Sequence, residues 1–177
     1  LKKKKKLKKY ILYIGNNNFQ KRSYFFINIA KELFINSKNY EFHMVGDFNF
    51  KNSQIKRLSK FNIKIHEKRF DLRRLFLSAD LLIAPAINEG FGRIIVEAML
   101  NKVLVIASNS GAHKEIIIDK FNGRLIRSDS LKMFKKVIKD VLSNEKIFKH
   151  MVTNAYMISI KRYNIDEYLN SFKKIYK

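Results

Sequence analysis

Short apolar runs alternate along this chain with longer segments whose apolar positions recur at helical spacing, the pattern of a parallel sheet linked by crossover helices. Tyr10–Ile14 reads as a strand ending at Gly15. Ser23–Phe34 reads as the helix after it, with Phe26, Ile27, Ala30, Leu33 and Phe34 on one face. Tyr40–Val45 is a second strand stopping at Gly46, Asn52–Lys60 a polar helix, and Ile63–His66 a short third strand. Asp71 is placed to cap a helix over Leu72–Ser78, which leads into a strand at Leu81–Ala84 flanked by Asp80 and Pro85. Arg93–Leu100 follows as a helix, Val103–Ala107 as a strand, Ala112–Ile118 as a helix and Gly123–Ile126 as a last short strand. From Ser130 to Tyr176 the period is helical, with breaks near Asn144 and Asn164. The fold class expected is α/β: a Rossmann-like parallel sheet with helices on both faces, followed by C-terminal helices.

A length of 177 residues suits one well-packed domain. The division expected is a basic tail or linker over residues 1–9 and a single ligand-binding domain over 10–177. Without cysteine there is no disulfide framework and no thiolate metal site, a composition that fits the cytosol. The longest apolar stretches, Leu81–Ile87 and Val103–Ala107, fall far short of the roughly 20 residues that span a bilayer. The lysine run Lys2–Lys6 is not followed by the apolar block of a secretory signal, and a first residue of Leu1 rather than Met suggests a fragment or an unusual start. The formal charge is +22, and the seven lysines between Lys2 and Lys9 account for less than a third of it. Such a field favours polyanions, phosphorylated small molecules or anionic lipid head groups, although surface lysines are ordinarily just solvated.

Glycine positions change the picture more than charge does. Gly15, Gly46, Gly90, Gly92 and Gly111 all follow a predicted strand, and ligands of open parallel sheets bind beyond the carboxyl ends of the strands. The strongest local signal is Asn88-Glu89-Gly90-Phe91-Gly92 before the helix Arg93–Leu100. Free loop amides and a helix N-terminus converge there, which suits a phosphate. Glu97 stands among Ile94, Ile95, Val96, Ala98, Met99 and Leu100, so a buried carboxylate in need of a partner is expected; an Arg93–Glu97 pair one turn apart is the plainer alternative. Glu89 and Glu97 would be roughly 12 Å apart if the span were helical. That separation suits two acids holding opposite ends of one ligand, not a dyad flanking one bond.

Glu89-Gly90-Phe91-Gly92 with Glu97 eight positions after Glu89 resembles the signature of retaining glycosyltransferases of the GT-B fold, the group 1 family. Tyr13-Ile14-Gly15 with Lys21, Met44-Val45-Gly46-Asp47, Leu75–Pro85, Val105–Ser108, Gly111 with Glu115, and Asn122-Gly123 continue the family's order. The likeness runs from about Tyr10 to Tyr176 and implies the C-terminal, donor-binding half of a GT-B enzyme.

That resemblance implies transfer of a sugar from a nucleotide-sugar to an acceptor hydroxyl with retention. It also implies no metal and no separate cofactor. Glu89 and Lys21 would be the catalytic pair, with Glu89 on the sugar hydroxyls and Lys21 on the diphosphate. Gly15, Asn16, Lys21, Arg22, Glu89, Gly90, Phe91, Gly92 and Glu97 would form the nucleotide-sugar site, with Glu97 on the ribose. Where the family has an arginine directly after the first-strand glycine this chain has Asn16, and Arg22 is the candidate replacement; Lys114 stands where proline is common. The acceptor, a sugar or a lipid-linked one, would be held by a separate N-terminal domain. The implied location is cytoplasmic, with the lysines compatible with the inner face of a membrane.

Two other readings stay open: a nucleotide-sugar epimerase or phosphorylase of the same architecture, and a basic module gripping nucleic acid or a membrane surface. The two glutamates count against the first. No nucleic-acid motif supports the second. Loss of activity, given Asn16, is a third outcome. His43, His66 and His150 lack metal-ligand spacing, and His113 is singled out only for lying near the ligand edge. Phe25, Phe26, Phe134 and Phe148 are expected in the core.

Overall fold

The computed structural model describes residues 8–67, 72–127 and 129–163. Six parallel strands, β1 (Lys9–Ile14), β2 (Tyr40–Val45), β3 (Ile63–His66), β4 (Leu81–Ala84), β5 (Leu104–Ser108) and β6 (Arg124–Ile126), lie in the order β3-β2-β1-β4-β5-β6. This is the doubly wound order, and its direction of travel reverses between β1 and β4. The expected fold class holds. β1 begins at Lys9, paired with Tyr40, so the sheet reaches into the segment read as a tail; residues 1–7 lie outside the described ones, as do Asp71 and the break near Asn164.

Strand side chains alternate between two cores. Ile11, Tyr13, Phe42, Met44, Ile63, Leu81, Ile83, Leu104 and Ile106 face α1 (Ser23–Asn36), α2 (Asn52–Ser59) and α6 (Leu131–Ser143). Leu12, Val45, Leu82, Ala84, Val105 and Ala107 face α3 (Arg73–Ser78), α4 (Arg93–Leu100) and α5 (His113–Ile116). Apolar residues on both faces explain why β4 and β5 read as unbroken apolar runs rather than alternating ones. The last described helix, α7 (Glu145–Arg162), gives Met151 to the first core and Ala155 to the second. Phe26 and Phe134 are fully buried, with Phe25 and Phe148 packed against them.

The break near Asn144 is a cap: its side chain accepts from the Ile147 amide at 3.0 Å. Ser130 caps α6 in the same way through Met133. The helix expected over Ala112–Ile118 is a single turn. The β-branched run Ile116–Ile118 disfavours continuation, and the buried Asn122 side chain replaces the helical bonds, donating to the Ile116 carbonyl and accepting from the Ile118 amide. Among the described residues no helix is long and apolar enough to cross a membrane.

At the sheet edge a polar chain runs under Tyr10 that the sequence pattern did not reveal. His43 Nε2 lies 2.7 Å from Glu41 Oε1, and His43 Nδ1 lies 2.7 Å from His66 Nε2. With His43 neutral, Nε2–H donates to Glu41 and Nδ1 accepts from His66. The Tyr10 ring stacks on His43 at 3.7 Å, and Lys64 pairs with Glu41 at 2.8 Å. Burial pushes the His43 imidazole from 6.5 down to about 4, outweighing the pull of Glu41. Partial burial opposes the charged form of Glu41, but the hydrogen bonds from Lys64 and His43 prevail and lower its pKa.

A folded-state pKa below the unfolded value means that this contribution is complete above about pH 6.5 and is lost as pH falls towards 4. Glu41 adds the same sign at lower pH. Urea unfolding at pH 7 and pH 5 therefore gives a lower midpoint at pH 5. In His43→Phe the difference shrinks, leaving the share of His113, whose pKa burial also lowers.

Candidate active site

The connections after β1 and β4 leave the sheet at its switch point, the place where open α/β sheets bind their ligands. The Ile87 amide donates to the Gln20 carbonyl at 2.9 Å and ties the two connections together. The β1 connection is set by its own asparagines: the Lys21 amide donates to Asn18 Oδ1 at 2.7 Å, and Ser23 Oγ donates to Asn17 Oδ1. Beneath it the Tyr13 hydroxyl donates to the Lys21 carbonyl at 3.1 Å. Burial, and then the charge of Glu89, raises the Tyr13 pKa, so the phenol stays a donor.

These bonds aim Lys21 across the crevice. Its Nζ lies 2.7 Å from both carboxylate oxygens of Glu89, a bond between residues 68 positions apart. The side chains are 31% and 19% exposed, so the pair is partly shielded from solvent but open to a ligand.

Glu89 is held from below by the turn between β5 and α5. Ser108 Oγ donates to the Ala86 carbonyl, Ser110 Oγ accepts from the Asn88 amide at 3.0 Å, and the Ala112 amide donates to the Glu89 carbonyl at 3.1 Å. Asn88 itself has φ +52, in the left-handed region. Gly111 has φ +56, and a Cβ there would stand 2.5 Å from the Glu89 carbonyl oxygen and 2.7 Å from its amide nitrogen. Only glycine permits that approach.

Beyond Glu89, Gly92 in the left-handed region starts α4. Among the described residues no group accepts from the amides of Phe91, Gly92, Arg93 or Ile94. Four uncommitted donors at the start of a helix attract an anion. His113 packs under this corner, fully buried, with Nδ1 3.0 Å from the Ser108 carbonyl oxygen. Burial pushes its pKa down, against the Ser108 hydrogen bond and the charge of Glu89. It packs here, and among the described residues no cluster of three or more His, Cys, Asp or Glu could hold a metal ion.

The remaining predicted residues are placed unequally. Glu97 is exposed, not buried. The buried face of α4 is Ile95, Val96, Ala98 and Met99, while Arg93, Glu97 and Leu100 face outward. Neither the buried carboxylate nor the Arg93–Glu97 pair is realised; among the described residues nothing pairs with the Glu97 carboxylate. Asn16 Oδ1 accepts from the Asp47 amide at 3.4 Å, and the next amide, Asn17, donates to the Asp47 carbonyl. Arg22 has φ +56 at the start of α1, with its guanidinium 4.1 Å over the Phe25 ring and in the field of Asp129. No described bond links it to Lys21 or Glu89. Gly15 closes β1, its amide bonded to the Val45 carbonyl. Phe91 is 59% exposed and meets Tyr163 edge-on. Phe19, which sequence reasoning did not single out, is 85% exposed at the tip of the β1 connection.

A doubly wound sheet whose switch point holds a lysine, a carboxylate and a free helix N-terminus is equipped for a ligand with both phosphate and hydroxyl groups. Comparison with known proteins agrees on the class. The model of the family Glycosyl transferases group 1 matches residues 2–157, and the chain belongs to that family.

An uncharacterized glycosyltransferase of Methanocaldococcus jannaschii, MJ1178, is 27% identical, over 96% of this chain and 57% of its own. A Campylobacter jejuni enzyme named GalNAc-α-(1→4)-GalNAc-α-(1→3)-diNAcBac-PP-undecaprenol α-1,4-N-acetyl-D-galactosaminyltransferase is 26% identical, over 82% of this chain and 42% of its own. The chain spans about half the length of the curated relatives it matches. Among solved structures, Anabaena HepE in complex with UDP superposes with a TM-score of 0.85 at 21% identity, over 96% of this chain and 48% of that one. The C-terminal domain of a glycosyl transferase group 1 family protein, LpcC, from Francisella tularensis superposes at 0.76 with 23% identity, over 89% and 88%. The fold is thus that of the C-terminal domain of GT-B glycosyltransferases.

Two glycines of the site separate structure from function. Gly111→Ala forces a side chain into left-handed backbone and against Glu89, and is expected to lower stability by about 2 kcal/mol or more in denaturant unfolding. Gly90→Ala meets nothing within 4 Å and leaves the unfolding midpoint in place.

Proposed function

We propose that this chain is the donor-binding half of a retaining glycosyltransferase and takes a nucleotide-sugar in the crevice between β1 and β4. The observation that carries the reading is the meeting of Lys21 and Glu89, both oxygens at 2.7 Å, beside the uncommitted amides that open α4. In this assignment the diphosphate lies between Lys21 and the α4 N-terminus, the sugar hydroxyls donate to Glu89, and Gly90, Phe91 and Gly92 form the backbone wall against the sugar-diphosphate. Glu97, outward-facing and unpaired among the described residues, takes the ribose hydroxyls about one turn into α4. Solved structures of the same fold include HepE with UDP, with UDP and glucose and with UDP-glucose, and TarM with UDP, which supports a nucleotide at this edge of the sheet.

The chemistry follows from where charge develops. As the bond from the anomeric carbon to the β-phosphate oxygen breaks, the oxygen keeps the electron pair and the nucleoside diphosphate leaves with added negative charge. Once the diphosphate has drawn Lys21 off Glu89, Lys21 and the helix amides flank that oxygen and stabilise the charge that develops on it. The acceptor hydroxyl attacks the same face, its oxygen bonding to the anomeric carbon as its proton passes to the departing β-phosphate oxygen, giving retention. No step assigned here calls on a metal. The acceptor, a sugar or a lipid-linked sugar, is assigned to a second half of the enzyme that packs over the crevice, for which Phe19 supplies an exposed aromatic contact. By itself the chain binds donor without turning it over. Its placement is cytoplasmic, with the surplus lysines drawing it to an anionic membrane face.

Calorimetry with the full chain against UDP-, GDP- and ADP-sugars tests this. One nucleotide series binds; Lys21→Ala weakens it by about tenfold to a hundredfold and Glu97→Ala by about tenfold. Equal affinity in wild type and Glu97→Ala removes Glu97 from the site. Absence of nucleotide-sugar binding together with tight, salt-sensitive binding of DNA replaces the reading with a basic module.

A further inference from the structure

In the ligand-free protein the two charges assigned to the donor are spent on each other. Lys21 Nζ sits between both Glu89 oxygens, and neither partner can retreat as backbone. The Lys21 carbonyl and amide are held by Tyr13 and Asn18, and the Glu89 carbonyl is held by the Ala112 amide over a turn that admits no Cβ at 111. A ligand that needs either group has to take it from the other by side-chain rotation alone.

The consequence differs for the two nucleotides that meet the site in each cycle. A nucleoside diphosphate draws Lys21 to its phosphates and offers Glu89 nothing. A carboxylate four-fifths covered is then left without its cation, beside an anionic phosphate. A nucleotide-sugar draws Lys21 in the same way, but its sugar hydroxyls arrive as donors on the Glu89 oxygens and replace the bonds lost.

We propose that the Lys21–Glu89 pair is the specificity element by which this site favours the sugar-bearing nucleotide over the nucleoside diphosphate left after transfer. Breaking the pair opposes both ligands, and only the sugar-bearing one compensates Glu89. The proposal rests on the donor-site assignment above and adds a second function to Glu89: it penalises the product as well as holding the sugar.

The test is a gain of binding on removal of a site residue. Calorimetry is run with the full chain, as wild type, Glu89→Gln and Glu89→Ala, against UDP, GDP, ADP, UDP-glucose, GDP-mannose, ADP-glucose and inorganic pyrophosphate. Matched thermal melts confirm folding, and the alanine variant decides the outcome if the glutamine variant does not fold.

The expected result is tighter binding of the sugar-free diphosphate by about tenfold in the variants, with no gain for the sugar nucleotide. Discrimination between the two then collapses. Wild type that binds nucleotides, with variants that bind the diphosphate no more tightly, overturns this proposal and leaves the donor site standing. Wild type and variants that bind neither the nucleotides nor pyrophosphate overturn both.

Discussion

The site depends on one close approach: the backbone of the β4 connection lying flush on the turn after β5. Bonds from Ser108, Ser110 and the Ala112 amide reach Ala86, Asn88 and Glu89 in succession, and Gly111 lets the two chains touch. Neighbouring parallel strands deliver both segments to the same edge, since β4 and β5 pair in register from Leu81–Leu104 to Ala84–Ala107. The sheet therefore does more than support the loop. It sets the height at which the Glu89 carboxylate meets Lys21, which arrives from β1 on the other side of the switch point. A short, rigid route from core strand to carboxylate is the arrangement in which a site residue keeps its geometry.

Elements with strong local signals were legible in the sequence. β2, β3, β4 and α4 occupy the residues that the apolar pattern predicts, because continuous burial on both faces leaves no other reading for runs such as Leu81–Ala84. Asn144 and Gly111 were legible for the same kind of reason: a cap and a left-handed turn both act within a few residues. Glu97 was misread because its neighbours are apolar. Leu100 is exposed on the same outward face, and nothing in the composition of α4 distinguishes it from the buried Met99. Which stripe of a helix faces the core depends on what lies opposite, and only the fold supplies that.

The pairing of distant residues was the part least accessible. Lys21 and Glu89 could be nominated separately, but their bond follows from strand order, which brings positions 68 apart in sequence to one crevice. The Glu41–His43–His66 chain is the same case away from the candidate site: register sets Val45 opposite His66 and His43 opposite Lys64, and the two imidazoles meet diagonally. Histidine spacing in the sequence carries no trace of it. Local physics writes helices, caps and turns into the chain, while cross-sheet contacts have to wait for topology.

Asn16 draws these threads together. Its side chain accepts from the Asp47 amide while the next residue donates back to the Asp47 carbonyl, so it stitches the first two strand connections in a way that a donor-only arginine side chain cannot reproduce. In the proposed complex that leaves Lys21 as the near cation, since Arg22 stacks on Phe25 in the field of Asp129. A helix N-terminus contributes the equivalent of about half a positive charge, so Lys21 and α4 together balance only part of a diphosphate. The remainder falls to the diffuse field of a chain with a net charge of +22. That field acts over about 8 Å at physiological ionic strength and weakens as salt rises. A stitched loop and a broad positive surface thus stand in for a second local cation, making the phosphate end of the proposed site the more salt-dependent and the Glu89 end the more geometrically fixed.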